Sequence, residues 1–392
     1  MQYRTLGRIG NVSALGFGAM RLPVANGKVD EKEAIAMIRA AIDAGVTYVD
    51  TAYPYHNGES EVVVGKALGG GYRHKVMLAT KLPVWHVREA ADFDRYLDEQ
   101  LGRMRQDRVD VYLLHSLNKT SWPKVRDLGV LDWAERAVAS GRVGHIGFSF
   151  HDDADTFRSI VDAYDWEICQ VQYNIMDVDN QAGTAGVRYA AGRGVAVVVM
   201  EPLLGGKLVA PPAPVQALWD GSPSKRSPVA WALEWLWSQP EVSLVLSGMS
   251  TMEQVKDNLA IADRARVGGL SAADLALCDR VRACYRGLNA IPCTACGYCM
   301  PCPHGVDIPA NLAAYNEGLA YGHPDAARGQ YAWWKTAFEV AHIQDHDIRA
   351  AQCTACKTCE KKCPQKIPIS AWMKVIHAAL GENGPYVRSL PA

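Results

Sequence analysis

Eleven cysteines are present, and eight of them fall into two short runs near the C-terminus. Cys293, Cys296, Cys299 and Cys302 are spaced Cys-x2-Cys-x2-Cys-x2-Cys-Pro, while Cys353, Cys356, Cys359 and Cys363 are spaced Cys-x2-Cys-x2-Cys-x3-Cys-Pro. A disulfide scaffold distributes its cysteines through a small secreted chain. Thiols bunched in this way are metal ligands, suited to a reducing compartment. Tetrathiolate zinc and iron–sulfur chemistry both use such sets, and four thiols per run with a terminal Cys-Pro favour iron. Cys169, Cys278 and Cys284 stand apart and read as incidental thiols. A second chemical set lies earlier, where Asp50, Lys81, His115, Ser149, Gln170, Glu201 and Ser247 each end an apolar run. A Lys–Asp pair in such surroundings is either a structural ion pair or a device that lowers the pKa of a nearby acid. Tyr55, five residues after Asp50, is placed to be that acid.

The apolar runs that must position these groups are Ser13–Phe17, Tyr48–Ala52, Val76–Lys81, Val109–His115, His145–Phe150, Ile168–Tyr173, Ala196–Glu201 and Ser243–Ser247. Most are continuous rather than alternating, as expected of parallel strands covered by helices. Asp30 and Glu33 have capping-box spacing, followed by helical periodicity up to Gly45. Phe93–Met104, Leu131–Ser140, Asp155–Tyr164 and Val229–Ser238 also read as helices, the last a Trp-rich core helix. Eight strand–helix units predict an α/β fold, a (β/α)8 TIM barrel, with reactive residues at the carboxyl ends of its strands. No G-x-G-x-x-G follows the first strand, which disfavours a doubly wound sheet. After a helix over Ala272–Tyr285 comes a small helical segment, with helices over Ala310–Tyr321 and Asp325–Ala341 between the cysteine runs. The expected domains are 1–285 and 286–392, with no internal repeat beyond the β/α period. The chain has 392 residues, 49% apolar and 21% charged, with a net charge of −1. That balance gives no support for a nucleic-acid surface. No stretch reads as a signal peptide or membrane span, so the expectation is a cytoplasmic protein without nucleic-acid or membrane partners.

The segments Asp50-Thr-Ala-Tyr-Pro-Tyr55, Leu78-Ala-Thr-Lys81, Tyr112-Leu-Leu-His115, Gly141–Ser149 and Gln170-Val-Gln-Tyr-Asn174 resemble, in order, the active-site segments of the aldo-keto reductase superfamily. The resemblance covers roughly the first 270 residues. It implies a catalytic tetrad of Asp50, Tyr55, Lys81 and His115: Tyr55 the general acid, Lys81 a cation that eases its proton transfer, Asp50 the partner of Lys81, and His115 the group that orients a carbonyl. It further implies NADH or NADPH as cofactor. Ser149 and Gln170 match positions that hold the carboxamide, whereas Phe150 stands where an Asn is common. Met200 takes the place of a ring-stacking Tyr. Gly205 and Lys207 would serve the pyrophosphate, and Ser250, Gln254 and Asn258 the adenosine end. Ser250 and Glu253 have capping-box spacing that would start a helix there. Gln254 replaces the Arg that pairs with a 2′-phosphate in many relatives, so NADH should bind at least as well as NADPH unless Lys256 substitutes. His56 reads as a solvated loop residue. Trp85, His86, Asn118 and Trp122 follow strand ends and are expected to line the substrate pocket.

The second cysteine run matches the spacing of bacterial two-cluster ferredoxins, and the first is one residue shorter before its last Cys. In that pattern three neighbouring thiolates take a fourth from the other run. Cys293, Cys296, Cys299 and Cys363 would hold one 4Fe–4S cluster, and Cys353, Cys356, Cys359 and Cys302 the other. The tail thus resembles an α-helical ferredoxin-like domain, and barrel plus tail resembles the iron–sulfur branch of the aldo-keto reductases. The expected function is an oxidoreductase that reduces a small-molecule carbonyl, or oxidises an alcohol, by hydride transfer. Two alternatives are an electron-transfer enzyme that couples the clusters to a protein partner and flavin or substrate chemistry, and a non-enzymatic redox sensor.

Overall fold

The computed structural model describes residues 1–339 and 345–390. It comprises two compact units: Met1–Gly206 with Val229–Leu275, and Lys207–Pro228 with the chain from Ala276 onward. In chain order the strands are β1 (Tyr3–Leu6), β2 (Gly10–Ser13), β3 (Leu15–Gly18), β4 (Val24–Ala25), β5 (Lys28–Val29), β6 (Tyr48–Asp50), β7 (Met77–Leu82), β8 (Val109–Leu117), β9 (Val143–Phe150), β10 (Ile168–Gln172), β11 (Ala196–Met200) and β12 (Val242–Ser247). Strands β3 and β6–β12 close into a parallel barrel in the order β10-β11-β12-β3-β6-β7-β8-β9. Each strand expected from the sequence is present, its ends within two residues of the expected ones.

Around the barrel lie α1 (Glu31–Asp43), α2 (Glu59–Ala67), α3 (Ala91–Met104), α4 (Ser121–Asp127), α5 (Val130–Ala139), α6 (Ala154–Asp162) and α7 (Gly183–Gly192). Asp30 caps α1 by accepting the Glu33 N–H at 3.1 Å, and Ala34, Met37, Ile38, Ala41 and Ile42 form its buried face. The chain continues through α8 (Ala213–Asp220), α9 (Pro228–Trp237), α10 (Met252–Ala262) and α11 (Ala272–Gly287). The tryptophans of α9 are core residues, with Trp231 and Trp237 fully buried. Strand packing is tight enough to exclude a side chain at Gly147, where a Cβ would meet the Ile168 carbonyl at 2.4 Å.

The antiparallel hairpin β1–β2 has no counterpart among the sequence expectations. Its Leu6 and Val12 join Tyr48, Val111, Ile168 and Ala196 in one buried cluster. Ala196 opens its strand, so the hairpin stoppers the amino end of the barrel and leaves the carboxyl end for chemistry.

In the second unit, α12 (Ile308–Ala320), α13 (Pro324–Glu339), α14 (Thr358–Lys362) and α15 (Ile369–Gly381) pack around Tyr315, Tyr331, Trp372, Met373 and Ile376. Ala341, the expected end of α13, lies outside the described residues. The boundary expected at 285/286 falls inside α11. The segment after β11, including α8, belongs with the helical unit.

Candidate active site and metal centre

The tetrad expected from the sequence converges at the carboxyl ends of β6, β7 and β8. Asp50 ends β6, and Lys81 lies one residue before the end of β7. The Lys81 Nζ donates to Asp50 Oδ1 at 2.6 Å and to the Thr51 carbonyl at 2.7 Å. It also reaches the Tyr55 hydroxyl at 3.4 Å. Both members of the ion pair are buried. The loop that carries Tyr55 is pinned twice. Thr51 Oγ1 meets Ser60 Oγ at 2.9 Å, and Ser60 donates to the Ala19 carbonyl. His56 Nε2 accepts the Leu22 N–H at 3.1 Å, so this residue is an anchor of the loop rather than a solvated side chain.

Electrostatics at the site differ from the sequence expectation in one respect. Burial raises the Tyr55 phenol pKa by more than Lys81 lowers it. The expected downward shift is reversed by burial, to which the nearby Asp50 and Glu201 carboxylates add. Burial works against the Lys81 charge, but Asp50 and Tyr55 offset it and the net direction is up. His115, with its ring centroid 6.0 Å from that of Tyr55, is pushed well below its ordinary value by burial, then by Lys81 and His151. At neutral pH the site therefore holds an ammonium, a protonated phenol and a neutral imidazole.

Trp85 packs 5.0 Å from His115 and is half-buried. His86 is exposed, close to Trp85 and Tyr96. The other two residues expected in the pocket are engaged elsewhere. Asn118 accepts the Thr120 and Ser121 N–H groups within its own loop, and Trp122 is core packing against Trp166.

The nicotinamide candidates divide in the same way. Ser149 Oγ accepts the Ser116 N–H at 2.7 Å and keeps its hydroxyl proton to donate. Gln170 lies against the Asp50 carboxylate, and its buried Oε1 has no hydrogen-bond partner among the described residues. An orphaned acceptor beside a free donor fits a carboxamide. Met200 ends β11, half-buried. Gly205 occupies a left-handed turn (φ +67°) and faces Arg21, whose guanidinium nitrogen would be 3.2 Å from an added Cβ. Gly248 also packs on Arg21, and Ser250 Oγ donates to the Arg21 carbonyl. Arg21 was missed from sequence, although it lies three residues beyond the end of β3. Lys207, in contrast, belongs to the second unit, where its ammonium pairs with Glu317. The cap of α10 is Thr251, which accepts the Gln254 N–H, not Ser250. The Gln254 side chain folds back to accept the Ser250 N–H at 2.8 Å. Buried Asn258 donates to Ser247 Oγ.

In the helical unit, Cys293, Cys296, Cys299 and Cys363 line one concave space with Leu312 and Ile367. Cys353 and Cys359 are within electrostatic reach of each other, and Cys302 packs against the same core. Among the described residues no three His, Cys, Asp or Glu side chains stand close enough to hold a single metal ion. A repeat not recognised in the sequence also emerges. Cys-Thr-Ala-Cys occurs at 293–296 and 353–356, and Ala295 and Ala355 share a left-handed conformation, with φ of 54° and 57°. Two buried asparagines of α12, also unforeseen, fix the approaches to these loops. Asn316 accepts the Ile291 N–H and donates to the Ile291 carbonyl. Asn311 donates to the Ile348 carbonyl and accepts the Ala350 N–H. Their sequence signal was an amide recurring on an otherwise apolar helix.

Residues 14–214 match the aldo/keto reductase family. The chain belongs to that family. As an aldo/keto reductase it is an enzyme, and residues 292–368 match a 4Fe-4S dicluster domain. The L-galactose dehydrogenase of Arabidopsis thaliana is 28% identical over 284 residues, covering 66% of this chain and 88% of that protein. A protein of Escherichia coli (strain K12) named NADH-specific methylglyoxal reductase is 27% identical over 304 residues, covering 65% and 90%. The structure of an aldo-keto reductase from Klebsiella pneumoniae in complex with NADPH superposes with a TM-score of 0.60 at 25% identity, covering 72% of this chain and 96% of the other. No helix among the described residues is long and apolar enough to cross a membrane.

Proposed function

We propose that this aldo/keto reductase reduces a small-molecule carbonyl, or oxidises the corresponding alcohol, with NADH or NADPH, and that its tail holds two 4Fe–4S clusters. The observation that carries the reading is the convergence of Lys81, Asp50, Tyr55 and His115 at the barrel mouth. A nicotinamide, when bound, supplies the hydride. Tyr55 donates its phenolic proton to the carbonyl oxygen as negative charge develops there. Lys81 faces the phenolate that remains, and Asp50 holds Lys81 in place. Neutral His115 donates a hydrogen bond that fixes the carbonyl, and Trp85 walls off one side of it. Ser149 and Gln170 hold the carboxamide.

For the pyrophosphate, Arg21, packed against Gly205 and Gly248, is a better candidate than Lys207, whose charge is engaged by Glu317. At the adenosine end Gln254 supplies no charge, which leans toward NADH; the name of the E. coli relative agrees, whereas the Klebsiella structure contains NADPH. The lining of the concave space supports the crossover, with Cys363 joining Cys293, Cys296 and Cys299 and, by symmetry, Cys302 joining Cys353, Cys356 and Cys359. Thiolate ligation in such loops suits a reducing compartment such as the cytoplasm. Titration of anaerobically prepared protein with both nicotinamides tests the reading: NADH is expected to bind at least as tightly as NADPH. A salt-sensitive preference for NADPH of ten-fold or more (roughly 1.4 kcal/mol) would overturn the lean, and failure of both to bind would overturn the reading.

A further inference from the structure

The two cysteine loops share a backbone turn but not a charge. Between Cys293 and Cys302 there is no ionisable residue other than the cysteines and Tyr298. Between Cys353 and Lys366 there are four lysines, Lys357, Lys361, Lys362 and Lys366, and one carboxylate, Glu360. That carboxylate is turned inward, where it accepts the Ser370 N–H at 2.8 Å and the Ser370 hydroxyl. All four lysines are exposed, and among the described residues none has an ion-pair partner. Cys356 is exposed among them. In a chain of net charge −1, this is a concentrated basic surface wrapped around one set of cluster thiols.

Ligation does not require these charges, since the uncharged first run makes the same turn. Nor does folding, because among the described residues the ammonium groups form no ion pair. We propose that residues 353–366 are the docking surface for an acidic one-electron carrier protein, which exchanges electrons with the cluster held there. The surface surrounds Cys356, the exposed thiol of this run, and an exchange partner needs that approach; RNA or an anionic membrane has no use for it. One electron leaves the carrier and the cluster gains it, with no atom transferred. Opposite charges speed such encounters and are screened by salt. The inference rests on the tail holding its clusters, which iron and sulfide analysis and bleaching by dithionite check independently of docking.

The test uses the full chain, prepared anaerobically, and a photoreduced acidic flavodoxin as the probe carrier, with cluster bleaching followed by stopped flow. The wild-type second-order rate should fall about ten-fold or more between low salt and ~0.3 M salt. The variant K357Q/K361Q/K362Q/K366Q, with unchanged iron, sulfide and dithionite bleaching, should be about ten-fold slower at low salt and nearly insensitive to salt. A direct binding titration of the unreduced carrier should show the same loss. The proposal is overturned if the loaded wild type is not reduced by the carrier, if the variant matches wild type, or if only poly(U) RNA or phosphatidylserine vesicles respond to the four substitutions.

Discussion

Replacing Asn316 by leucine should release the first cysteine run while leaving the barrel intact. The Asn316 Oδ1 accepts the Ile291 N–H at 2.9 Å, and its Nδ2 donates to the Ile291 carbonyl at 2.7 Å. Ile291 is fully buried, so water cannot take over either bond. The carbonyl keeps one donor, the Cys293 N–H at 2.8 Å, but the Ile291 N–H is orphaned. An orphaned buried donor costs about 1–3 kcal/mol and a lost bond at the carbonyl about 1 kcal/mol. Burial of the leucine returns on the order of 1 kcal/mol, for a net loss of about 1–3 kcal/mol. That is a large fraction of what a small helical unit has, and Cys293 stands only two residues away. The assay is iron content of anaerobically purified protein, with nicotinamide binding as the control for the barrel. The variant should lose iron from the site of Cys293, Cys296 and Cys299 and, because the same run supplies Cys302, loosen the second cluster as well, while binding nicotinamide normally. Full iron content with wild-type resistance to urea would refute the clamp.

Lys81→Met should cost about 3–5 kcal/mol in urea unfolding, because it leaves the Asp50 carboxylate buried without its partner; adding Asp50→Leu should recover most of the loss, and an unaffected single variant would contradict the pairing. His115 has a folded-state pKa depressed mainly by burial, so below its unfolded value of about 6.5 the unfolded chain binds the extra proton. Stability should therefore fall as pH drops through about 6.5, by up to about 1.4 kcal/mol per pH unit from this residue, and His115→Gln should remove that part of the slope. Cys302→Ser should damage the cluster held by Cys353, Cys356 and Cys359, and Cys363→Ser the one held by Cys293, Cys296 and Cys299; site-selective spectroscopy showing loss of the sequence-local cluster instead would defeat the crossover.

The barrel was legible because its strands are continuous apolar runs and because Asp50, Lys81 and His115 interrupt such runs at their ends. The stopper hairpin was not, since β1 and β2 are four residues each and mix polar residues with Leu6 and Val12. The α10 cap was misplaced by one residue because Ser250-Thr251 and Glu253-Gln254 offer the same spacing in two registers; Arg21 takes the Ser250 hydroxyl and decides between them. Sequence order could not show that Lys207 turns to Glu317, 110 residues away. It also could not show that burial, rather than Lys81, governs the Tyr55 phenol. Asn311 and Asn316 were readable only as polar interruptions, because their partners are backbone groups on other segments.

The most direct test of the account is a single-turnover reaction of protein preloaded with NADH and mixed with a carbonyl substrate, comparing wild type with Tyr55→Phe. Nicotinamide oxidation is followed by its absorbance, and nicotinamide affinity is measured separately. With the phenolic proton removed and the rest of the site in place, the transfer rate should fall by about 10^2–10^4-fold, while nicotinamide affinity stays within about two-fold. A Tyr55→Phe enzyme that oxidises bound NADH at the wild-type rate would contradict the assignment of Tyr55 as the acid, and with it the proposed mechanism.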